Sequence, residues 1–221
     1  MRRVIVIVLA AALGLIGPAL AKKPTGSGSS TVTIAAAPSS LVFGSSSTIS
    51  GQATGKKAGG ASVELQSESS TGAFSKVATT TADSTGHYSF KVTPTQNTTY
   101  RVLAHTAPAG TSSKLRVNVL VKVTLAVSTT KPKAGSMVRF SGFVLPAYNG
   151  KVVQIQRKTR TGFKTVAQTT LGAATPLGTV ARSKFSKGLR IRKNGTYRVL
   201  FNPADGLREP NTSPTRTLRV H

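Results

Sequence analysis

Asn97-Thr98-Thr99-Tyr100-Arg101-Val102-Leu103 returns as Asn194-Gly195-Thr196-Tyr197-Arg198-Val199-Leu200, and this pair of segments decides how the chain reads. Outward from it, four more blocks recur in the same order. Val32-Thr33-Ile34-Ala35 becomes Val123-Thr124-Leu125-Ala126, and Gly44 with Ser50-Gly51 becomes Gly135 with Ser141-Gly142. Val63-Glu64-Leu65-Gln66 becomes Val153-Gln154-Ile155-Gln156, and F-x-x-V-A-x-T-T spans Phe74 to Thr81 and again Phe163 to Thr170. Five blocks in one order at nearly constant spacing are a duplication. Within the blocks, Val63 and Leu65, Tyr88-Phe90-Val92 and Leu115-Val117-Val119-Val121 alternate apolar with polar positions, the period of half-buried strands. Turn formers separate these runs at Pro38–Ser40, Gly55–Gly60, Asp83–Gly86 and Pro94–Asn97. Short strands with turns every ~8–12 residues, in units of about 100 residues, describe Greek-key β-sandwiches. The expected fold is therefore all-β: two tandem sandwiches, at 31–121 and 122–221. The junction Leu120-Val121-Lys122-Val123 carries no Gly, Pro or Ser, so one sandwich is expected to run straight into the next.

The chain opens differently. Arg2-Arg3, the uncharged apolar run Val4 to Ile16, and Gly17-Pro18-Ala19-Leu20-Ala21 have the parts of a secretory signal peptide. An N-terminal membrane anchor is the alternative, but the run is short of the ~20 apolar residues of a span and is broken by Gly17-Pro18. The expectation is a signal peptide over 1–21, a flexible Gly/Ser-rich leader over 22–30, and a secreted product with no transmembrane segment after cleavage.

Together, G-x₅-S-G, V-x-L/I-Q, F-x-x-V-A-x-T, a G-x-Y/F strand and N-x-T-Y-R-V resemble the bacterial Ig-like repeats of secreted and surface proteins, particularly those of actinobacteria. Fibronectin type III modules are the neighbouring resemblance. It implies Ig-like sandwiches in an exported, envelope-associated context and implies no catalytic residues. The second repeat departs from the pattern twice: the Asp83–Gly86 turn is expanded into Leu171 to Arg182, and Lys187 stands where the first repeat has Phe90.

Composition bounds the chemistry. Cysteine is absent, which removes disulfides, thiolate metal sites and thiol nucleophiles. Five carboxylates and three histidines remain, with no H-x-x-x-H and no G-x-S-x-G, so no catalytic, cofactor-binding or metal-binding residue is assigned. Glu64 and Glu68 read as solvated surface. Tyr100 and Tyr197 read as structural, at the corner where a sandwich tyrosine bonds its hydroxyl back to backbone. Asn97 and Asn194 read as turn residues, left-handed or in Asx-turns.

Charge exceeds what the scaffold needs. Thirty basic residues face five acidic ones, and residues 122–221 hold nineteen of the basic but only Asp205 and Glu209 of the acidic. The candidate polyanion-binding set is Lys151, Arg157, Lys158, Arg160, Lys164, Arg182, Lys184, Lys187, Arg190, Arg192, Lys193 and Arg198. Such a surface is expected to attract an anionic cell-envelope polymer through long-range electrostatics, with a protein partner as a further expectation. Solubility alone is the competing explanation. Scarce aromatics and no recognition helix argue against dedicated nucleic-acid binding. A second functional reading is a carbohydrate-binding or adhesin module using the loops Gly55–Gly60, Ala147–Gly150 with Tyr148, and Leu171–Arg182.

Overall fold

The computed structural model describes residues 28–221; the signal peptide and most of the leader expected from the sequence lie outside them. The described residues form strands and no helix, so no helix among them is long and apolar enough to cross a membrane. The first half contains β1 (Ala35–Ala37), β2 (Ser40–Val42), β3 (Ser47–Gln52), β4 (Ser62–Glu68), β5 (Phe74–Thr81), β6 (His87–Val92), β7 (Thr98–Ala104), β8 (Gly110–Thr111) and β9 (Leu115–Leu120). The second contains β10 (Lys122–Val123), β11 (Ala126–Val127), β12 (Ser136–Leu145), β13 (Val152–Thr159), β14 (Gly162–Thr170), β15 (Ala174–Leu177), β16 (Val180–Ile191), β17 (Gly195–Phe201), β18 (Asn211–Thr212) and β19 (Arg216–Leu218).

Four sheets result. In the first half β1-β3-β6 faces β2-β9-β7-β4-β5, with β8 on β7; β3 pairs β6 while the intervening β4 and β5 cross to the other sheet. In the second half β10-β12-β16-β15, with β11 on β12, faces β14-β13-β17-β18, with β19 on β17. Alternating apolar residues fill two cores. Ile49, Val63, Leu65, Val102, Val117 and Val119 are fully buried in one. Val138, Phe140, Val153, Ile155, Val199 and Phe201 are fully buried in the other. Val119 enters the first core and Val121 the second, so the period-2 strand expected at the junction feeds both. Leu145, from the second half, packs into the first core.

The duplication extends to individual side-chain hydrogen bonds. Gln66 Oε1 accepts from Arg101 Nε at 2.8 Å and Gln156 Oε1 from Arg198 Nε at 2.9 Å. Val102 and Val199 each donate their N–H to a serine hydroxyl, Ser112 or Ser213, at 2.9 Å. Both V-x-L/I-Q strands, β4 and β13, carry a bulge at one step, Leu65/Gln66 and Ile155/Gln156. Ile49 pairs with Phe90, and its counterpart Phe140 pairs with Lys187. Lys187 stays exposed, while Phe140 stands in place of Ile49 and Leu171 in place of Ala82, each larger than its counterpart and each buried. The expanded turn closes as a hairpin: β15 pairs with β16 from Ala174↔Ser183 to Leu177↔Val180, adding an edge strand.

Two structural assignments change. Tyr100 and Tyr197 are buried at equivalent places, but the tyrosine hydroxyl that donates to a backbone carbonyl is that of Tyr88, to Thr33. Burial pushes the Tyr88 hydroxyl up to about 12, so it donates at any ordinary pH. Asn97 and Asn194 are not left-handed; among the described residues the non-glycine residues with positive φ are Lys57 and Ala204. Instead each asparagine clamps the end of its half, Oδ1 accepting the N–H of Val119 in β9 at 2.8 Å or of Val220, just past β19, at 2.7 Å. A side chain that satisfies a distant strand must leave its own turn, which is why the local Asx-turn does not form.

Candidate polyanion-binding surface

The twelve candidate cations do not form one patch. Strand register sends them to several places. Lys158 and Arg160 sit where β13 turns into β14, and Arg192 and Lys193 where β16 turns into β17; all four are exposed. Two hydrogen bonds hold these turns at one end of the second half, Gly135 N–H to the Ile191 carbonyl at 2.7 Å and Arg157 Nη2 to the Asn194 carbonyl at 2.7 Å. Arg182 and Lys184 lie elsewhere, along an open groove of about 600 Å³ also lined by Arg139, Ser141, Thr170 and Ser186. Lys187 borders a neighbouring depression with Met137 and Arg139. Lys151 stands at the opposite end, its carbonyl accepting the N–H of Leu171. Lys164 is on β14.

Several of these cations also serve the fold. The Arg198 guanidinium lies 4.0 Å from the Phe163 ring centroid, as Arg101 lies 4.1 Å from that of Phe74. That stack is part of the repeat and no speciality of the second half. Arg182 lies 4.9 Å over Phe143, and Arg190 donates to the Gly135 carbonyl at 3.0 Å. Their charges still contribute to the field, though the side chains are committed.

Both acids of the second half are engaged far from those end turns. Asp205 Oδ2 accepts from the Tyr148 hydroxyl at 2.8 Å and its Oδ1 accepts the N–H of Leu207 at 2.9 Å and of Arg208 at 3.1 Å. Glu209 Oε1 accepts from Asn97 Nδ2 at 3.0 Å, and its backbone bridges Leu120 in parallel. Arg208 completes the junction, donating to the Thr95 carbonyl at 2.7 Å. The loop between β17 and β18 thus covers one end of the first half. Sequence reasoning missed this role, along with Lys131 and Lys133, because the partners lie on other strands. The repeat held a signal: Asn97 aligns with Asn194, so whatever covers one marks the equivalent end of the other.

Tyr148 leaves little for a sugar to stack on. Its ring packs 5.0 Å from Phe201, and its hydroxyl binds Asp205 and accepts from Arg208 Nη1 at 3.2 Å. Burial and the neighbouring Asp205 push that hydroxyl up from its ordinary value. Burial would raise the Asp205 carboxyl too, but the bonds from Tyr148, Leu207 and Arg208 outweigh it and hold it below the usual aspartate range. Since folding lowers this value, the stabilisation is complete above the unfolded pKa of about 3.9 and disappears as pH falls through the folded one. The Leu207 and Arg208 amide resonances should therefore titrate with a midpoint below 3.9, and Asp205→Asn should abolish the step. A midpoint at or above about 3.9 would contradict this geometry.

Two carboxylates of the first half, Glu64 and Glu68, are paired with basic side chains. Glu64 meets His105 at 3.2 Å and Lys76 at 3.6 Å, and its carboxyl is held below the ordinary range, chiefly by the His105 hydrogen bond. Glu68 pairs with Lys114 at 2.6 Å. Among the described residues no three His, Asp or Glu side chains gather to hold a metal ion. No protein-family model matches the chain, and no curated protein matches it.

Proposed function

We propose that the chain is a secreted, non-enzymatic tandem of two Ig-like β-sandwiches, an interaction module of the bacterial cell envelope whose basic second half is retained on anionic surface polymer. The Greek-key crossing in each half, with its two facing sheets and its own core, supports the tandem. The observation that carries the electrostatic part is the state of the acids. Residues 122–221 hold nineteen cations and two carboxylates, and both carboxylates are tied up around the junction. Most of the remaining positive charge faces solvent, where it attracts a polyanion by releasing that polymer's counterions.

Retention by counterion release is steeply salt-dependent. Host cells washed in rising salt should release the protein from the envelope over a narrow range, and purified protein should rebind when the salt is diluted. Release only by detergent or muramidase, or accumulation solely in the medium, would refute retention by charge.

A further inference from the structure

We infer that the anion-binding surface is one end of the second half, the end away from the junction, and that its ligand is a carboxylate-bearing polysaccharide. This rests on the reading just proposed and locates it. Four connections converge there: the β11–β12 segment, the β13–β14 turn, the β16–β17 turn and the C-terminal residues. The Ala134 N–H donates to the His221 carbonyl at 3.2 Å and the His221 N–H to the Pro132 carbonyl at 3.2 Å, which ties the first and last of these together. Val220 on Asn194, and Gly135 on Ile191, bring in the β16–β17 turn.

Lys131, Lys133, Lys158, Arg160, Arg192 and Lys193 are among the cations presented there, and all six are exposed. Through the duplication they correspond to Ser40, Val42, Glu68, Ser70, Thr95 and Gln96 in the first half, none of them basic. Neither acid of the second half reaches this end. The matching end of the first half shows what such an end accepts. There Asn97 Nδ2 donates to the Glu209 carboxylate, and the Asn97 N–H donates to the Leu207 carbonyl at 2.8 Å. Asn194 spends its Oδ1 much as Asn97 does, on the N–H of Val220 just past the last strand, but among the described residues nothing accepts from its Nδ2. The second half thus repeats a carboxylate-accepting frame and surrounds it with cations. A single acidic loop would engage the asparagine and leave most of those charges unmatched. A linear chain with a carboxylate on each residue could satisfy the asparagine and several cations together, and that favours the polymer.

The test uses the intact exported chain and polygalacturonate, with neutral dextran as control, at several salt concentrations. One variant carries Lys131→Gln, Lys133→Gln, Arg192→Gln and Lys193→Gln. A second removes the same charge elsewhere, by Arg139→Gln, Lys151→Gln, Lys184→Gln and Lys187→Gln. The first should weaken polygalacturonate binding at least about tenfold and flatten its salt dependence, and the second should change it several-fold less. Asn194→Asp keeps the acceptor for Val220 and replaces the donor with a like charge, so it should weaken binding at an unchanged melting temperature. Equal losses from the two fourfold variants would overturn the placement while leaving charge-based retention standing. No salt-dependent binding by the unaltered chain would overturn both. Tighter binding of polyphosphate through the same residues would overturn the carboxylate assignment, and so would tighter binding of a synthetic peptide spanning Asn202 to Pro210.

Discussion

Phe140→Ala is expected to cost about 3–5 kcal/mol, the range for deleting a fully buried aromatic ring. Phe140 has no exposed surface, and its ring meets Tyr197 edge-on at 5.2 Å. Its cross-strand partner Lys187 points its charge to solvent and cannot move in to fill the void without losing hydration. The loss should be local. Hydrogen exchange should quicken across β12, β13, β16 and β17, while Val63, Leu65 and Val102 of the first core keep their protection. The matched change Ile49→Ala should produce the reverse pattern, at about 2–5 kcal/mol. If either variant lowered protection equally in both halves, the junction through Glu209, Asn97 and Leu145 would have to couple the two cores into one cooperative unit.

The legible parts of this fold were those written within one strand. Alternation at Val63-Leu65 and Val117-Val119 gives the burial correctly because a strand's side chains alternate whatever it pairs with. Tyr100 and Tyr197 read as structural corner residues because the repeat sets them at equivalent positions, and both are buried. The hydroxyl contact was misplaced because it depends on which residue faces a glycine across the sheet: Tyr88 lies opposite Gly51, against the Thr33 carbonyl. The asparagine clamps, to Val119 and Val220, were hidden by separations of 22 and 26 residues. The candidate surface was legible as charge and illegible as shape. Counting located the excess in the second half, yet only the convergence of four connections separates Lys158 and Arg192 from Lys151 and Lys184. The unmatched amide of Asn194 became visible only once Glu209 was seen on Asn97.

Gly142→Ala should be as damaging as losing a core ring, although it adds a single methyl. β12 passes so close to the Thr124 backbone that a Cβ on Gly142 would overlap the Thr124 carbonyl oxygen, and it would also lie 2.7 Å from Phe185 Cζ. The duplicated glycine is in the same position: a Cβ on Gly51 would overlap the Thr33 carbonyl and lie 2.5 Å from the Tyr88 hydroxyl. A ring can rotate away, whereas the carbonyl belongs to a segment fixed on both sides. Thr124 N–H donates to the Phe143 carbonyl at 3.0 Å and Thr124 Oγ1 accepts the Phe143 N–H at 2.9 Å. Overpacking in a well-filled core costs about 1–3 kcal/mol and more where backbone must shift, so a loss of at least about 3 kcal/mol is expected at either glycine. Shortening the ring tests which obstacle dominates. Adding Phe185→Leu to Gly142→Ala should recover only a small part of the stability measured by chemical denaturation, because the carbonyl remains. Full recovery would mean that the ring alone requires the glycine, and that the close approach of Thr124 to β12 is not a fixed feature of the sandwich.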